Sequence, residues 1–544
     1  MNESAAGAPD APATAGLFTR QSSGLVRELG IPAATGIALA SVAVVNTFIN
    51  FSNGLIAFDR PDMTLPLILA AGIWFVGMFA YKYLLQAIPR AGGEYVYVSR
   101  VISPVLGAMV GIGIAVAFTY ILAANAQFTA LFMPFTLTSL GDAFSSSWIA
   151  AGANHVTSKG AIAAICVGML LVVGALSLMP LRRIAQVIVA LVAIQLLAFV
   201  ALALVLLFHS HSDFVKSFGD FSGDSNAYNA IFSAAKSNGI ATGTSLTASL
   251  LVVPFMVLNY NGVLYSYYVG GELRRPGRTY IYASCISIAL LVIVWVGIWA
   301  LMRWRVGLDF MQAQANLSAT NGDAYGKITD LSATAGGLGY GVVLSGDPIT
   351  KILFGIAVPC AEVAVNLAFV AVITRVLFAL AFDRMLPVAV ADVNERTHSP
   401  INATFIAIAG GILFSILATY LDLANIIANL ALFVALILFA GAISALILPF
   451  TRPELIQKPG TNDVERIGGV PAAAVWGGAT TILAAIVILL IVTHSSVFGK
   501  FSVESVTTLA LVLLAGPVIY LIARAVRSGS SIDLDLAMRE LPPE

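Results

Sequence analysis

Residues 246–271 read LTASLLVVPFMVLNYNGVLYSYYVGG, an apolar segment interrupted near its centre by the polar cluster Asn259 to Gly262. A second long apolar segment, residues 33–58, carries a similar cluster from Asn50 to Gly54. Amides and glycine are poor choices for a helix interior. Burying an unsatisfied polar group in hydrocarbon costs a free energy on the order of several kcal/mol. Such clusters are tolerated where backbone lines a cavity, or where amides hydrogen-bond between helices. The pattern favours helices that break inside a membrane.

The composition fits a membrane protein. Of 544 residues, 59% are apolar and only 10% are charged, whereas soluble domains are about 25% charged. This excludes a disordered chain and argues against a water-soluble enzyme. The formal charge is 0, so there is no basic field to attract nucleic acid. The 3 cysteines are isolated and the histidines lack metal-ligand spacing, so we predict no cofactor and no metal site.

Hydropathy over a window of about 19 residues predicts twelve membrane spans. Their predicted bounds are 33–58, 65–88, 103–135, 160–178, 184–208, 246–271, 279–302, 352–382, 401–420, 424–448, 472–493 and 504–523. An even number of spans places both termini on one side of the membrane.

The spans divide the chain into six parts. We predict, in order, a disordered cytoplasmic tail (1–30), a first half of five spans (31–208), an external loop (209–245), a second half of five spans (246–450), two further spans (451–525) and a cytoplasmic tail (526–544). The second half includes a long external loop, residues 303–350. These two loops form either short helices or a lid, and the sequence does not decide between them.

Lysine and arginine set the predicted orientation. Of the 28 such residues, 19 lie on the side of the termini and 9 on the opposite side. Cytoplasmic loops carry an excess of these residues. We therefore predict cytoplasmic termini and, with no cleavable signal peptide, a bacterial-type inner membrane.

The two polar clusters lie in spans one and six, five spans apart. Polar interruptions in corresponding spans of two halves are typical of inverted-repeat transporters, which bind substrate where the broken helices meet. Because five is odd, the second half would run upside down relative to the first. The alternative is that the amides only join neighbouring helices.

Three motifs follow spans two, six and eight. Residues 89–97 read PRAGGEYVY, residues 271–276 read GELRRP, and residues 374–387 read TRVLFALAFDRMLP. Each resembles a motif of the amino acid–polyamine–organocation transporters, and the three lie in register over spans one to ten. The resemblance implies an all-α leucine-transporter-type fold, with five plus five inverted spans and two peripheral helices.

The resemblance also assigns site positions. The family's glycine-rich G-S-G stretch, which holds a substrate carboxylate, corresponds here to the bulkier Asn50 to Gly54. Its gating aromatic in span six corresponds to Leu258, and its span-five lysine corresponds to Gln195, which cannot titrate. The predicted substrate-binding residues are Asn50, Ser52, Asn53, Gly54, Leu258, Asn259, Tyr260, Asn261 and Gly262.

Charged residues follow span eight in the motif that the family shares. Arg375, Asp383 and Arg384 are predicted to form a network that holds the cytoplasmic gate shut. The alternative is that the arginines are solvated anchors at the lipid headgroups.

One acidic residue, Glu362, lies near the middle of span eight, with Asn366 four residues on and therefore on the same helical face. An ionisable residue within a span marks a functional site by default. We expect Glu362 either to carry the coupling proton in place of the missing lysine or to pair with a substrate amine. A structural role, as a protonated acid hydrogen-bonded to another helix, is the remaining alternative. Glu362, Asn366 and Gln195 are the predicted coupling residues.

The sequence predicts a secondary active transporter for a small amino acid or organic amine, working by alternating access. Proton-coupled uptake is the first mode, with sodium coupling or solute exchange as alternatives. An ion channel would need a filter or a ring of subunit residues, and a pump would need a nucleotide-binding loop. The expected partners are the lipid bilayer and a small-molecule substrate. Substrate identity and oligomeric state are left open.

Overall fold

The computed structural model describes residues 26–333, 336–394, 397, 399–421, 430–457, 464–495, 497, 503–527 and 533–540. Most of the predicted tail at 1–30 lies outside the described residues, as do parts of the predicted tail at 526–544. Among the described residues, eleven helices are long and apolar enough to cross a membrane. A shorter apolar helix, Leu246–Asn259, lies where the sequence predicts span six.

The predicted spans agree closely with the helices. In chain order they are Ile31–Ser41 with Thr47–Ala57, Thr64–Ala87, Pro104–Ala143, Lys159–Ser177, Leu181–Phe208, Leu246–Leu251 with Val253–Asn259, Pro276–Met302, Pro348–Phe382, Ile401–Leu421, Leu430–Thr451, Ala472–Thr493 and Val503–Arg527. We number these spans one to twelve. The chain is therefore an all-α polytopic membrane protein.

Shorter elements connect the spans, and two of them, Tyr265–Tyr268 and Gly270–Glu272, form the second part of span six beyond its break. The α-helices among them are Glu94–Val101, Ser147–Ala151, His211–Ser222, Ala227–Ser237, Leu308–Thr320, Gly322–Gly326, Gly336–Leu344 and Leu534–Arg539. The 3-10 helices are Val44–Asn46, Gly152–His155, Tyr265–Tyr268, Gly270–Glu272, Val388–Ala391 and Pro453–Leu455, and Arg303–Gly307 is a π-helix. One antiparallel pair of two-residue strands, Arg466–Ile467 and Val470–Pro471, is the sheet of the described chain.

Local sequence explains where the long spans begin and bend. Spans three and eight both start at a proline, whose missing N–H costs nothing at the first helical position, behind a capping residue, Ser103 or Asp347. Within span eight, Pro359 lacks the N–H that would bond to the carbonyl of Gly355. The hydroxyl of Thr136 in span three donates to that carbonyl instead, at 3.0 Å.

Spans one, three and eight form the centre of the bundle. The most apolar window of span eight is 94% buried, whereas that of span twelve is 17% buried. The outward faces of the peripheral spans carry leucine, isoleucine and valine, which suits contact with lipid. This arrangement leaves the polar interior groups to the central spans.

The two loops predicted to be external form short helices that cover one end of the bundle, which we name the outer end. Gln312 of helix Leu308–Thr320 donates to the carbonyls of Pro61 and Gly243, at 3.0 and 2.8 Å. Aromatic rings join the two loops, since Tyr228 stacks on Phe310 with their centroids 4.5 Å apart. The opposite end, which holds Leu29, Glu272 and Asp383, we name the inner end.

Candidate functional site

Spans one and six are both interrupted, and their interruptions meet. Span one unwinds over Val42–Asn46, where Ala43 takes the left-handed conformation with φ 46°. Span six stops at Asn259, and Gly262 follows with φ 99°. A Cβ built on Gly262 would lie 2.6 Å from Cβ of Ser41. Only glycine permits this close crossing of the two chains.

Two tryptophans satisfy backbone carbonyls that the interruptions release. Nε1 of Trp74 in span two donates to the carbonyl of Val257 in span six, at 2.9 Å. Nε1 of Trp295 in span seven donates to the carbonyl of Val44 in span one, at 3.1 Å. Spans two and seven are equivalent in an inverted repeat of five, so each half stabilises the break of the other by the same device.

The two predicted asparagine clusters come together across the halves. Nδ2 of Asn50 donates to Oδ1 of Asn259 at 2.7 Å, and Nδ2 of Asn259 donates to Oγ1 of Thr47 at 2.9 Å. However, Asn50 to Gly54 lies within the continuous helix Thr47–Ala57. The prediction that span one breaks at this cluster is therefore wrong, because the amide of Asn50 bonds to span six and Asn53 is exposed, which leaves the helix intact. The break precedes the cluster.

The other predicted binding residues take different environments. Ser52 is buried and its hydroxyl has no partner among the described residues, whereas Asn53 is exposed. Gly54 packs against span six, since a Cβ there would lie 3.0 Å from Val252. Leu258 is partly buried.

Two further predicted residues lie in the break of span six. Tyr260 is buried against Trp295, with the rings edge to face at 4.7 Å. Asn261 is buried and accepts a hydrogen bond from the hydroxyl of Tyr265. They therefore line the crossing from its span-six side.

Glu362 is completely buried at the centre of the bundle. Its carboxyl faces the side chain of Asn46, the last residue of the unwound stretch in span one. In the described structure, neither carboxyl oxygen has a hydrogen-bond partner of regular geometry, and neither does Oδ1 of Asn46. A protonated Glu362 can donate to Oδ1 of Asn46, whereas an ionised one can only accept from the Nδ2 of that side chain. Asn46 is a site residue that sequence reasoning missed, although its position within an apolar run was a signal.

Asn366 and Gln195 lie apart from this carboxyl–amide contact. Oδ1 of Asn366 accepts from Nδ2 of Asn125 in span three at 3.5 Å, and its Nδ2 contacts the sulfur of Met169 in span four at 3.4 Å. Gln195 is fully buried, and its Nε2 donates to the carbonyl of Leu191 within its own span at 3.4 Å. Asn366 therefore joins central spans.

Two buried ion pairs close the inner end. Nε and one terminal nitrogen of Arg375 donate to the two oxygens of Glu272, at 2.8 and 3.0 Å. Arg100 pairs with Asp383 at 2.7 Å, and the hydroxyl of Tyr95 donates to the same carboxylate at 2.7 Å. Together the pairs tie span eight to the exit of span six and to helix Glu94–Val101. Breaking either pair while it stays buried is costly.

The predicted gate therefore has different partners from those expected. Arg375 and Asp383 belong to separate pairs, and Arg384 joins neither of them in the described structure. Arg384 instead takes a left-handed backbone conformation just after span eight, with φ 67°. The missed partners, Glu272 and Arg100, both lie within or beside the motifs that marked this region of the sequence.

The glycine pair after span two fits between spans six and eight. Gly92 and Gly93 have φ 112° and 57°. A Cβ on Gly93 would lie 2.3 Å from the ring of Tyr268, and one on Gly92 would lie 2.7 Å from Ala379. The N–H of Gly92 donates to the carbonyl of Tyr268 at 3.1 Å. The motif thus packs helix Glu94–Val101 onto the exit of span six.

A pocket lies on the outer side of the crossing. Phe48, Phe51, Ser52, Trp299 and Tyr340 contribute to its wall. It is bounded by the second half of span one and by the helices of the outer loops. The site is thus adjoined by a cavity on its outer side and by ion pairs on its inner side.

Comparison with known sequences shows the family to which this chain belongs. The sequence profile described as amino acid permease matches residues 34–528. The chain belongs to the amino acid permease family. No curated protein matches the chain. As a member of this permease family, the protein is a multi-pass membrane transporter of the amino acid and amine class, and its substrates are small molecules.

Proposed function

We propose that this permease takes up a small amino acid or organic amine together with protons, by alternating access. The substrate binds where the unwound stretch of span one crosses the break in span six. Helix ends there expose backbone N–H and carbonyl groups, which suit the carboxylate and the amine of such a substrate. The excess of lysine and arginine at the inner end supports cytoplasmic termini in a bacterial-type inner membrane.

The position of the Glu362 carboxyl supports proton coupling. The buried Glu362 carboxyl faces Asn46 in the unwound stretch of span one and has no basic partner among the described residues. A protonated Glu362 can donate to Oδ1 of Asn46, whereas an ionised one can only accept from its Nδ2, so the proton decides how the unwound stretch is held. Loss of the proton leaves a buried charge without a basic partner, which the structure relieves by moving span one or by admitting water. Proton binding and movement around the substrate are thereby linked.

The test begins by finding a substrate. Purified protein is heated with each of the twenty amino acids and with simple amines, and the compound that raises Tm most is used in radiolabelled form. In proteoliposomes, an inward proton gradient should drive its accumulation. Accumulation that requires sodium and ignores pH contradicts proton coupling.

The Glu362→Gln variant then assigns the residue. We expect it to lose accumulation driven by the pH gradient while it still exchanges labelled for unlabelled substrate, because the amide cannot titrate. Glu362→Asp, which retains a carboxyl group, should keep part of the coupling. Full coupling in Glu362→Gln would sink the assignment, and loss of substrate binding in that variant would show that Glu362 instead pairs with the substrate amine.

A further inference from the structure

A second buried carboxyl lies at the inner end, outside the spans. Glu94 is completely buried at the start of helix Glu94–Val101. The hydroxyls of Tyr81 in span two and Tyr267 in span six both donate to its Oε1, the former at 2.7 Å. Oε2 has no hydrogen-bond partner of regular geometry in the described structure, although the hydroxyl of Tyr268 lies close to the carboxyl. Span two, span six and helix Glu94–Val101 therefore enclose the carboxyl of Glu94.

Buried tyrosines surround this carboxyl. Tyr267 stacks between Tyr81 and Tyr268, with ring centroids 4.6 Å away on each side. The full set, which we name the tyrosine cage, is Tyr81, Tyr97, Tyr265, Tyr267, Tyr268 and Tyr280. The cage supplies rings and neutral hydroxyls to the carboxyl, and no positive charge.

No basic residue of the described chain forms an ion pair with Glu94. The two buried arginines at this end form ion pairs with other residues: Arg100 pairs with Asp383, and Arg375 pairs with Glu272. An isolated buried carboxylate is costly, and a group in this position takes up a proton instead. Burial raises the pKa of Glu94, and hydrogen bonds from Tyr267, Tyr268 and Tyr81 offset only part of this rise.

The cage lies where the inner end must separate. Tyr267 and Tyr268 belong to the second part of span six, which is bound to Gly92 by a backbone hydrogen bond of 3.1 Å. Opening this end moves span six away from span two and from helix Glu94–Val101. Such a movement removes Tyr267 from Glu94 and exposes the carboxyl to water.

We propose that Glu94 and the tyrosine cage form a second proton-binding site, which holds a proton while the inner end is closed and releases it to water when that end opens. The proton passes from the carboxyl O–H to a water molecule on the inner side. This site rests on the alternating access of the proposed function, but not on the role of Glu362.

Proton binding by Glu94 favours the closed state of the inner end over the open state. The closed state binds the proton more tightly than the open state, where a hydrated Glu94 has the ordinary value of about 4.3. The ratio of open to closed protein therefore rises as pH rises above this value. One released proton gives a rise of up to about tenfold per pH unit, until the closed state also loses its proton.

The first experiment detects the proton directly. Infrared spectra of the full chain at pH 6 record the C=O stretch of protonated carboxyl groups in the parent, in Glu94→Gln and in Glu362→Gln. We expect Glu94→Gln to lose a distinct part of this band that Glu362→Gln retains. If instead the parent differs from Glu94→Gln only by a carboxylate band, Glu94 is ionised in the closed protein and the proposal is overturned.

The second experiment measures opening. Ser266 is buried beside Tyr267, so Ser266→Cys, in a protein whose three native cysteines are replaced by alanine, reports opening through its rate of maleimide labelling. Because maleimide reacts with the thiolate, whose fraction itself rises with pH, the rate is divided by that of free N-acetylcysteine at the same pH. With Glu94 present, this relative rate should rise with pH by up to about tenfold per unit. With Glu94→Gln it should be low and independent of pH. Equal pH dependence in both proteins, or no labelling in either, contradicts the proposal, while the uptake assay on Glu362 judges the proposed function separately.

A matched pair of tyrosine variants separates titration from packing. Tyr267→Phe removes a donor to the carboxylate, whereas Tyr280→Phe removes a hydroxyl that has no hydrogen-bond partner of regular geometry in the described structure and lies close to Ser284. A hydrogen bond to a charged group is worth enough to move a titration by about one pH unit. We expect the pH at which the relative labelling rate stops rising to move up by about this amount in Tyr267→Phe and to stay in place in Tyr280→Phe. Equal shifts in both variants would count against a titrating Glu94.

Discussion

The amide of Asn50 donates a hydrogen bond to Oδ1 of Asn259 at 2.7 Å, joining two residues that are 209 positions apart in the chain. Asn259 donates onward to Thr47, so one hydrogen-bonded chain crosses between the two halves. It lies beside the breaks in spans one and six, where backbone hydrogen bonds are missing. The pair therefore fixes the relative position of the two interrupted helices at the point where substrate is proposed to bind.

Replacing Asn50 by alanine should destabilise the protein by about 1 to 2 kcal/mol, because Oδ1 of Asn259 then stays buried without its donor. A double-mutant cycle with Asn259→Ala should show a coupling of about 0.6 to 1.7 kcal/mol, the range of hydrogen bonds between membrane helices. Equilibrium unfolding in detergent measures both. Asn53→Ala, an exposed amide on the same helix, is the control and should change stability by less than about 0.5 kcal/mol. Equal losses at Asn50 and Asn53 contradict the assigned pair.

Gly262→Ala and Gly93→Ala should each cost at least about 3 kcal/mol. Both glycines have positive φ, and an added Cβ would lie 2.6 Å from Ser41 or 2.3 Å from the Tyr268 ring, so strain and overpacking combine. The amount of monodisperse protein and its Tm report the loss. Gly297→Ala is the matched control, since nothing lies within 4 Å of its Cβ position. That variant should be neutral or slightly more stable, and equal damage at all three glycines would refute the close-contact explanation.

Arg375→Gln should lower the free energy of unfolding by about 3 to 5 kcal/mol, because Glu272 is then left as an uncompensated buried charge. The double variant with Glu272→Gln should recover a large part of this loss. Chemical unfolding of the purified variants provides the measurement. Arg384→Gln, at an arginine that shares neither buried pair, should cost less than about 1 kcal/mol. A loss at Arg384 as large as that at Arg375 would restore the single network expected from the sequence.

The free energy of unfolding should fall at acid pH, because Asp62 at the outer end then becomes protonated. Burial alone would raise the pKa of Asp62, but hydrogen bonds from Thr64 and Trp299 and the charge of Arg303 outweigh it, and the pKa lies below its usual value. A lowered pKa adds stability above the unfolded value of about 3.9, and this stability is lost as pH falls through the folded pKa.

The matching variant is Asp62→Asn. It should lose about 2 kcal/mol at pH 7 through its weaker hydrogen bonds to Trp299 and Arg303, and the difference from the parent should shrink toward pH 3. Thermal unfolding at several pH values provides the measurement. Asp59→Asn removes an exposed carboxylate three residues away and serves as the control. A difference that stays constant with pH would show that the charge of Asp62 contributes nothing to stability.

Local signals in the sequence predicted several features correctly. The predicted spans agree with the described helices to within a few residues except at the end of span three and in the second part of span six, which is 3-10 helix and not α-helix. The predicted start of span ten lies outside the described residues. The agreement follows because apolar length is a property of each segment alone. The break in span six follows Asn259, where glycine and amides weaken the helix. The break in span one was misplaced, since Val42 to Asn46 looks like an ordinary apolar helix, while the Asn50 cluster looks like a break.

By itself, the sequence determined the positions of the long apolar spans and the family, because hydropathy and short motifs can be recognised without knowing which helices touch. Only the tertiary structure decided the partners of buried polar groups: Glu362 with Asn46, Arg375 with Glu272, Arg100 with Asp383, and Glu94 with its tyrosine cage. These partners lie on different helices, some of them hundreds of residues apart in the chain. Which of them meet depends on how the helices pack, and in a low-dielectric interior that pairing decides whether a buried carboxyl holds a charge or a proton.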